Sequence, residues 1–191
     1  IGVPESSVGV LVKSVEEGLE EIRLQVKDRV DFIKFTADGL NRNAKGELMA
    51  CFNQQELSAM VEECHRLGVK CISHARGREA VLQSARAGVD IIFHGFEMDQ
   101  EGLDAVVESG ATLSPALTFL VNTVEFTRPG DPCFKWRPNM NRNDVEIASE
   151  MLVQARKAGV PFMVGTDSGF AVTPYGEWHA KELELMVKYL G

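Results

Sequence analysis

The sequence predicts an α/β fold, a parallel sheet with helices outside it. Helix, stop and short apolar strand alternate five times between Ser14 and Gly165, and Gly68, Gly88, Gly110 and Gly159 each close a helix. Strict alternation of this kind joins parallel strands through helical crossovers. His74 follows Gly68 by six positions and His94 follows Gly88 by six. Equivalent units therefore deliver a histidine to the same place, the C-terminal end of neighbouring strands, where sites are built in barrels and open sheets alike. A chain of 191 residues, 45% apolar and 25% charged, can bury one good core, so residues 1–191 read as a single domain.

In chain order, Val8 to Val12 is a candidate strand remnant. Ser14 and Glu17 form a capping box for a helix running to about Asp28, with Leu19, Ile22 and Val26 on one face. A strand over 30–35 follows. Asn53 with Glu56 is a second capping box; Leu57, Met60, Val61 and Cys64 recur at helical spacing up to Gly68. The strand 69–73 ends at His74, helix 77–87 follows, and strand 89–93 ends at His94. Asp99 caps a helix with Leu103, Val106 and Val107 inward, before a strand over 111–114. Asn143 and Glu146 mark a helix with Ala148, Met151, Leu152 and Ala155 on one face, then a strand over 161–165 leading into Thr166-Asp167-Ser168-Gly169. A last helix covers about 177–189. The irregular stretch Ala116 to Arg142, holding Arg128, Trp136 and Arg137, is either a lid or substrate-contact loop or a surface excursion.

A net charge of −8 with no basic run argues against a nucleic-acid or anionic-membrane partner. No apolar stretch approaches the ~20 residues of a membrane span. Cys51, Cys64, Cys71 and Cys133 make no CxxC pair, fit a reducing cytoplasm, and read as core filler. Ile1 in place of methionine and the terminal Leu190-Gly191 read as cut ends.

One residue resists this bland reading. Lys34 sits inside the apolar run of Phe32, Ile33 and Phe35, where burying an ammonium is costly. Strand alternation can point it to solvent. Otherwise it is a Schiff-base nucleophile, a charge partner, or an amine converted to a metal-binding carbamate. His74, His94 and Asp167 at other strand ends favour a functional role.

The stretches DFIKFTADG, CISHARG, AGVDIIFHG and VPFMVGTDSG, carrying Lys, His, His and Asp in that order, resemble the amidohydrolase superfamily of metal-dependent hydrolases. The nearest branch looks like the imidazolonepropionase-like and prolidase-like dipeptidases, to which HAKELELMVKYLG is also similar. The resemblance implies a partial TIM-like (β/α)8 barrel, strands four to eight, in a hydrolase of C–N amide bonds. It implies that Lys34 is carboxylated by carbon dioxide and bridges two metal ions, usually zinc. His74 and His94 would ligate the second metal. Asp167 would ligate the first and take a proton from the attacking hydroxide. Imidazole and carboxylate donors suit zinc. The pattern departs from the family in lacking His-x-His; the remaining histidines are His65, read as a solvated helix residue, and His179, near Tyr175 and Trp178, which either faces the site or starts the last helix. Arg76, Arg128 and Arg137 are candidate clamps for a substrate carboxylate, since guanidinium forks match carboxylates.

Two rival readings remain. A Schiff-base lyase using Lys34 explains the lysine but not the histidines. A non-catalytic half-barrel with open sheet edges would associate with itself, so a homo-oligomer is expected beside a small-molecule substrate.

Overall fold

The computed structural model describes residues 9–128, 142–169 and 172–191. In chain order the elements are α1 (Val15–Lys27), β1 (Phe32–Thr36), β2 (Asp38–Arg42), β3 (Leu48–Ala50), α2 (Gln54–Arg66), β4 (Lys70–Ala75), α3 (Arg78–Ala87), β5 (Ile91–His94), α4 (Gln100–Ser109), β6 (Thr112–Ser114), α5 (Leu117–Phe126), α6 (Arg142–Lys157) and α7 (His179–Leu190). β1, β4, β5 and β6 form a parallel sheet in that order. Among the described residues no helix is long and apolar enough to cross a membrane.

Alternation along the strands explains why helices cover one face only. Ile33, Phe35, Cys71, Ala75, Ile92 and Leu113 are buried on the helix side, with Leu57, Val61, Val81 and Val106 packed into the same core. The opposite set, among them Lys34, Ile72, His74 and Phe93, is less buried and lines the inner face of an incomplete barrel. Register pairs Lys34 with Ile72 and Ile72 with Ile91; one row further on, Thr36 pairs with His74 and His74 with Phe93. The strands thus climb together toward one C-terminal edge.

Several expectations need correction. Residues 9–12 form no strand. Ser14 does accept from the Glu17 amide, but the Glu17 carboxylate reaches back to the Lys13 amide instead of that of Ser14. The Asn53–Glu56 box forms in full. The strand expected over 161–165 is reduced to one bridge, Phe162 to Leu113, flanked by hydrogen bonds to Pro161 O and from Met163 N. Pro161 has no amide to donate, and β6 offers only three residues to pair with. An antiparallel hairpin, β2–β3, occupies the connection after β1 and was not expected. α6 begins at Arg142, before the expected cap Asn143, whose side chain lies outside those described.

The stretch expected to be irregular from Ala116 is helical up to Phe126. Leu117, Leu120 and Val121 are buried at helical spacing. What the local sequence lacks is a start signal: Ala116 takes a left-handed conformation (φ 54°) and has no capping side chain. The cap comes from α7. Glu182, fully buried, accepts from Leu117 N (2.9 Å), Thr118 N (2.7 Å) and Thr118 Oγ1 (2.6 Å). Burial pushes this carboxyl up, and the three hydrogen bonds offset part of the rise. Arg137, Trp136 and Cys133 lie outside the described residues.

A second long-range clamp joins α1 to α2. Glu63 accepts from Arg66 Nε and Nη2 and from Arg23 Nε, at 2.6–2.7 Å. The two guanidinium groups hold its carboxyl down at about 2.

Two outcomes are expected. Glu182→Ala leaves buried donors unmade and should lower the unfolding free energy by about 1–3 kcal/mol, whereas Glu184→Ala, on the exposed side of α7, should shift it by less than ~0.5 kcal/mol in denaturant titration. For Glu63 the folded carboxyl lies below its ordinary value of 4.5. Its stabilisation is therefore complete above that value and lost as pH falls toward 2. Acid unfolding of Glu63→Gln should be shallower over this window; an unchanged slope would rule out the clamp as an acid-sensitive contact.

Candidate metal centre

His74 lies near the end of β4 and His94 ends β5, so neighbouring parallel strands present both rings at one edge. His94 Nε2 faces His74 Nδ1 at 3.1 Å, with ring centroids 4.6 Å apart and planes at 74°. Two nitrogens bound to one tetrahedral zinc at ~2.0–2.1 Å would be about 3.3 Å apart, so this pair has the spacing of two ligands on one cation. His94 is buried, and its Nδ1 has no hydrogen-bond partner among the described residues. Burial, then the charges of His74, Arg76 and Lys34, push its pKa well down, which keeps the imidazole in the neutral form that binds metal.

Asp167, in the loop after the Phe162 bridge, brings Oδ2 to 3.9 Å from His94 Nε2. Both residues have left-handed backbones, φ 81° at His94 and 53° at Asp167. Such conformations are costly for residues with a Cβ and concentrate at functional sites. Lys34 is exposed on the inner face, and its Nζ lies over the Phe93 ring, 4.7 Å from the centroid. Phe93 pairs in register with His74, so the lysine reaches upward from its own row toward the histidines.

The sequence reading missed Asp38. This residue opens β2 and is wholly buried, yet it is a carboxylate. Its Oδ2 accepts from the Arg76 and Gly77 amides at 2.7 Å each. Its Oδ1 lies 3.4 Å from His74 Nε2 and 3.7 Å from Arg76 Nε. Burial pushes the carboxyl up, but the neighbouring His74, the Gly77 amide and the Arg76 charge outweigh it, and the net shift is downward. Asp38 Oδ1 thus stands beside Nε2 of His74 while Nδ1 faces His94, the arrangement outer carboxylates take toward metal-bound histidines. A polar residue followed by glycine, after a strand, reads as a turn; only the return of the hairpin over β4 reveals the carboxylate's target.

The other candidates fall in different places. Arg76 is buried, its guanidinium spent on the Gly39 carbonyl and near Asp38, so it braces the site from within instead of facing a substrate. Arg128 is exposed just after α5. His179 is exposed as the first residue of α7, and Trp178 beside it packs against Phe126 at 6.2 Å between ring centroids. His65 is not merely solvated: it pairs with Asp90 at 3.0 Å, at the opposite end of the sheet.

An uncharacterised protein of Mycobacterium tuberculosis is 25% identical over 144 residues, which cover 74% of this chain and 38% of that protein. A solved Xaa-Pro dipeptidase with methionine bound in its active site is 27% identical, with a TM-score of 0.74, over 95% of this chain and 44% of its own. A prolidase candidate from Bifidobacterium longum is 26% identical, with a TM-score of 0.78, over 100% of this chain and 48% of its own. An ochratoxinase of A. niger shares the fold at a TM-score of 0.78 and 24% identity, over 96% of this chain and 40% of its own. The chain thus spans less than half the length of each of these proteins and supplies the corresponding part of a TIM-like barrel. The pattern of the Amidohydrolase family matches residues 2–188, and the chain belongs to that family.

Proposed function

We propose that this chain supplies the metal-binding half of a metal-dependent hydrolase that cleaves a C–N amide bond in a small substrate. The observation that carries this reading is the facing pair, His74 Nδ1 and His94 Nε2, backed by a buried carboxylate on the far nitrogen of His74. The likeness to a Xaa-Pro dipeptidase and a prolidase candidate favours a dipeptide over an N-acyl amino acid or a cyclic amide.

In this proposal His74 and His94 hold a divalent cation such as zinc. Lys34, carboxylated by carbon dioxide with release of a proton, adds an anionic oxygen. A cation bound there supplies Lewis acidity toward the amide carbonyl and lowers the pKa of water. Asp38 keeps His74 in the ligating tautomer. Asp167, within 4 Å of His94, accepts a proton from the attacking water and returns it to the leaving amine. A homo-oligomer belongs to the same proposal. So does a cytoplasmic location, supported by Cys51, Cys64 and Cys71 as free thiols.

Metal analysis after dialysis tests the reading. His74→Ala should abolish metal retention at this site, while Asp167→Asn should keep most of the metal and lose hydrolysis. Equal loss of metal in both would show the roles misassigned. Asp38→Asn should weaken zinc affinity ten- to a hundredfold, the usual effect of removing an outer carboxylate. Unchanged affinity in a folded Asp38→Asn would limit that residue to bracing the backbone.

A further inference from the structure

The opposite end of the sheet carries a second cluster of ligating side chains that plays no part in the proposed hydrolysis. Cys71 is the second residue of β4, His65 lies in the last turn of α2, and Asp90 immediately precedes β5. His65 Nε2 is 3.0 Å from Asp90 Oδ2, Cys71 Sγ is 3.5 Å from the same oxygen, and Cys71 Sγ is 3.7 Å from His65 Nε2. A tetrahedral zinc with sulfur at ~2.3 Å and nitrogen or oxygen at ~2.0–2.1 Å has edges of about 3.3 Å between light atoms and about 3.5–3.6 Å from sulfur to either. All three edges lie close to these values before any adjustment.

The neighbours complete the picture. Cys64, in the last turn of α2 beside His65, is wholly buried, as is Cys71. The Cys71 amide donates to Asp90 Oδ2 at 2.9 Å, fixing that carboxylate against β4 as ligating carboxylates require. His65 and Asp90 are part-exposed, with side-chain accessibilities of 43% and 26%, while Cys71 is buried.

We propose that His65, Cys71 and Asp90, with Cys64 as neighbouring thiol, form a separate structural site for a thiophilic divalent cation such as zinc, fastening the end of α2 to the starts of β4 and β5. On binding, Cys71 gives up its thiol proton to solvent and His65 presents the Nε2 lone pair with its remaining proton on Nδ1. The site is independent of the histidine pair at the other edge, three residues along β4 and therefore about 10 Å away.

Cobalt(II) distinguishes the two sites, because among the described candidate ligands this cluster presents sulfur whereas His74, His94 and Asp167 present nitrogen and oxygen. The full chain, stripped with chelator and titrated with cobalt, should develop a thiolate-to-cobalt charge-transfer band. His74→Ala should retain the band, and Cys71→Ser should lose it. His65→Ala changes a helix-end residue and should keep the far-ultraviolet circular dichroism of the parent while weakening the band's cobalt affinity at least tenfold. It therefore carries the test should Cys71→Ser fail to fold. No band at saturating cobalt, a band surviving in folded Cys71→Ser, or full affinity in folded His65→Ala would each overturn the proposal.

Discussion

The Asp38 carboxylate, with no exposed surface, holds together three parts of the molecule that chain order keeps apart. One oxygen takes the two amides that begin the turn from β4 into α3, and the other faces His74 and Arg76. Burying an anion without partners is prohibitive, and here backbone amides and two cationic or polar groups surround it. The hairpin that carries Asp38 is therefore fixed over the end of β4. Bidentate contact between Arg42 and Glu97 fastens the same hairpin to the loop after β5. Gly77 leaves room for this approach: a Cβ there would stand 2.7 Å from Leu48 Cβ.

From that fixed point the geometry of the site follows. His74 cannot rotate freely while its Nε2 faces a buried carboxylate. His94, desolvated and neutral, meets it from the next strand, and left-handed backbones at His94 and Asp167 turn both residues toward one place. The parallel sheet supplies register; Asp38 and the strained strand ends supply aim. The same sheet carries a second constellation, of different chemistry, at its other rim, where Cys71 shares β4 with His74.

Much of this was legible in the chain. Glycine stops, capping residues and helical spacing placed the helices, because these signals act within a few residues of one another. The equal spacing of His74 and His94 from Gly68 and Gly88 placed two candidate residues at the ends of neighbouring strands for the same reason, one step apart in register, since His74 pairs with Phe93 and His94 with Ala75. Less legible were elements whose partners are distant. α5 begins where Glu182, more than sixty residues away, caps it, and the last strand shrinks because β6 is short and Pro161 lacks an amide.

What the sequence determined by itself was therefore local and periodic: alternating helices and parallel strands, the ends of neighbouring strands that carry His74 and His94, and the kind of donors the candidate residues present. What only the tertiary structure decided was which groups face one another across the fold. Asp38 as the partner of His74, Arg76 turned inward, and His65 joined to Cys71 and Asp90 depend on side chains from separate elements meeting within hydrogen-bond distance. Backbone and side-chain signals encode a helix turn by turn. An electrostatic contact between residues nearly forty positions apart exists only once the packed core has fixed where each element lies.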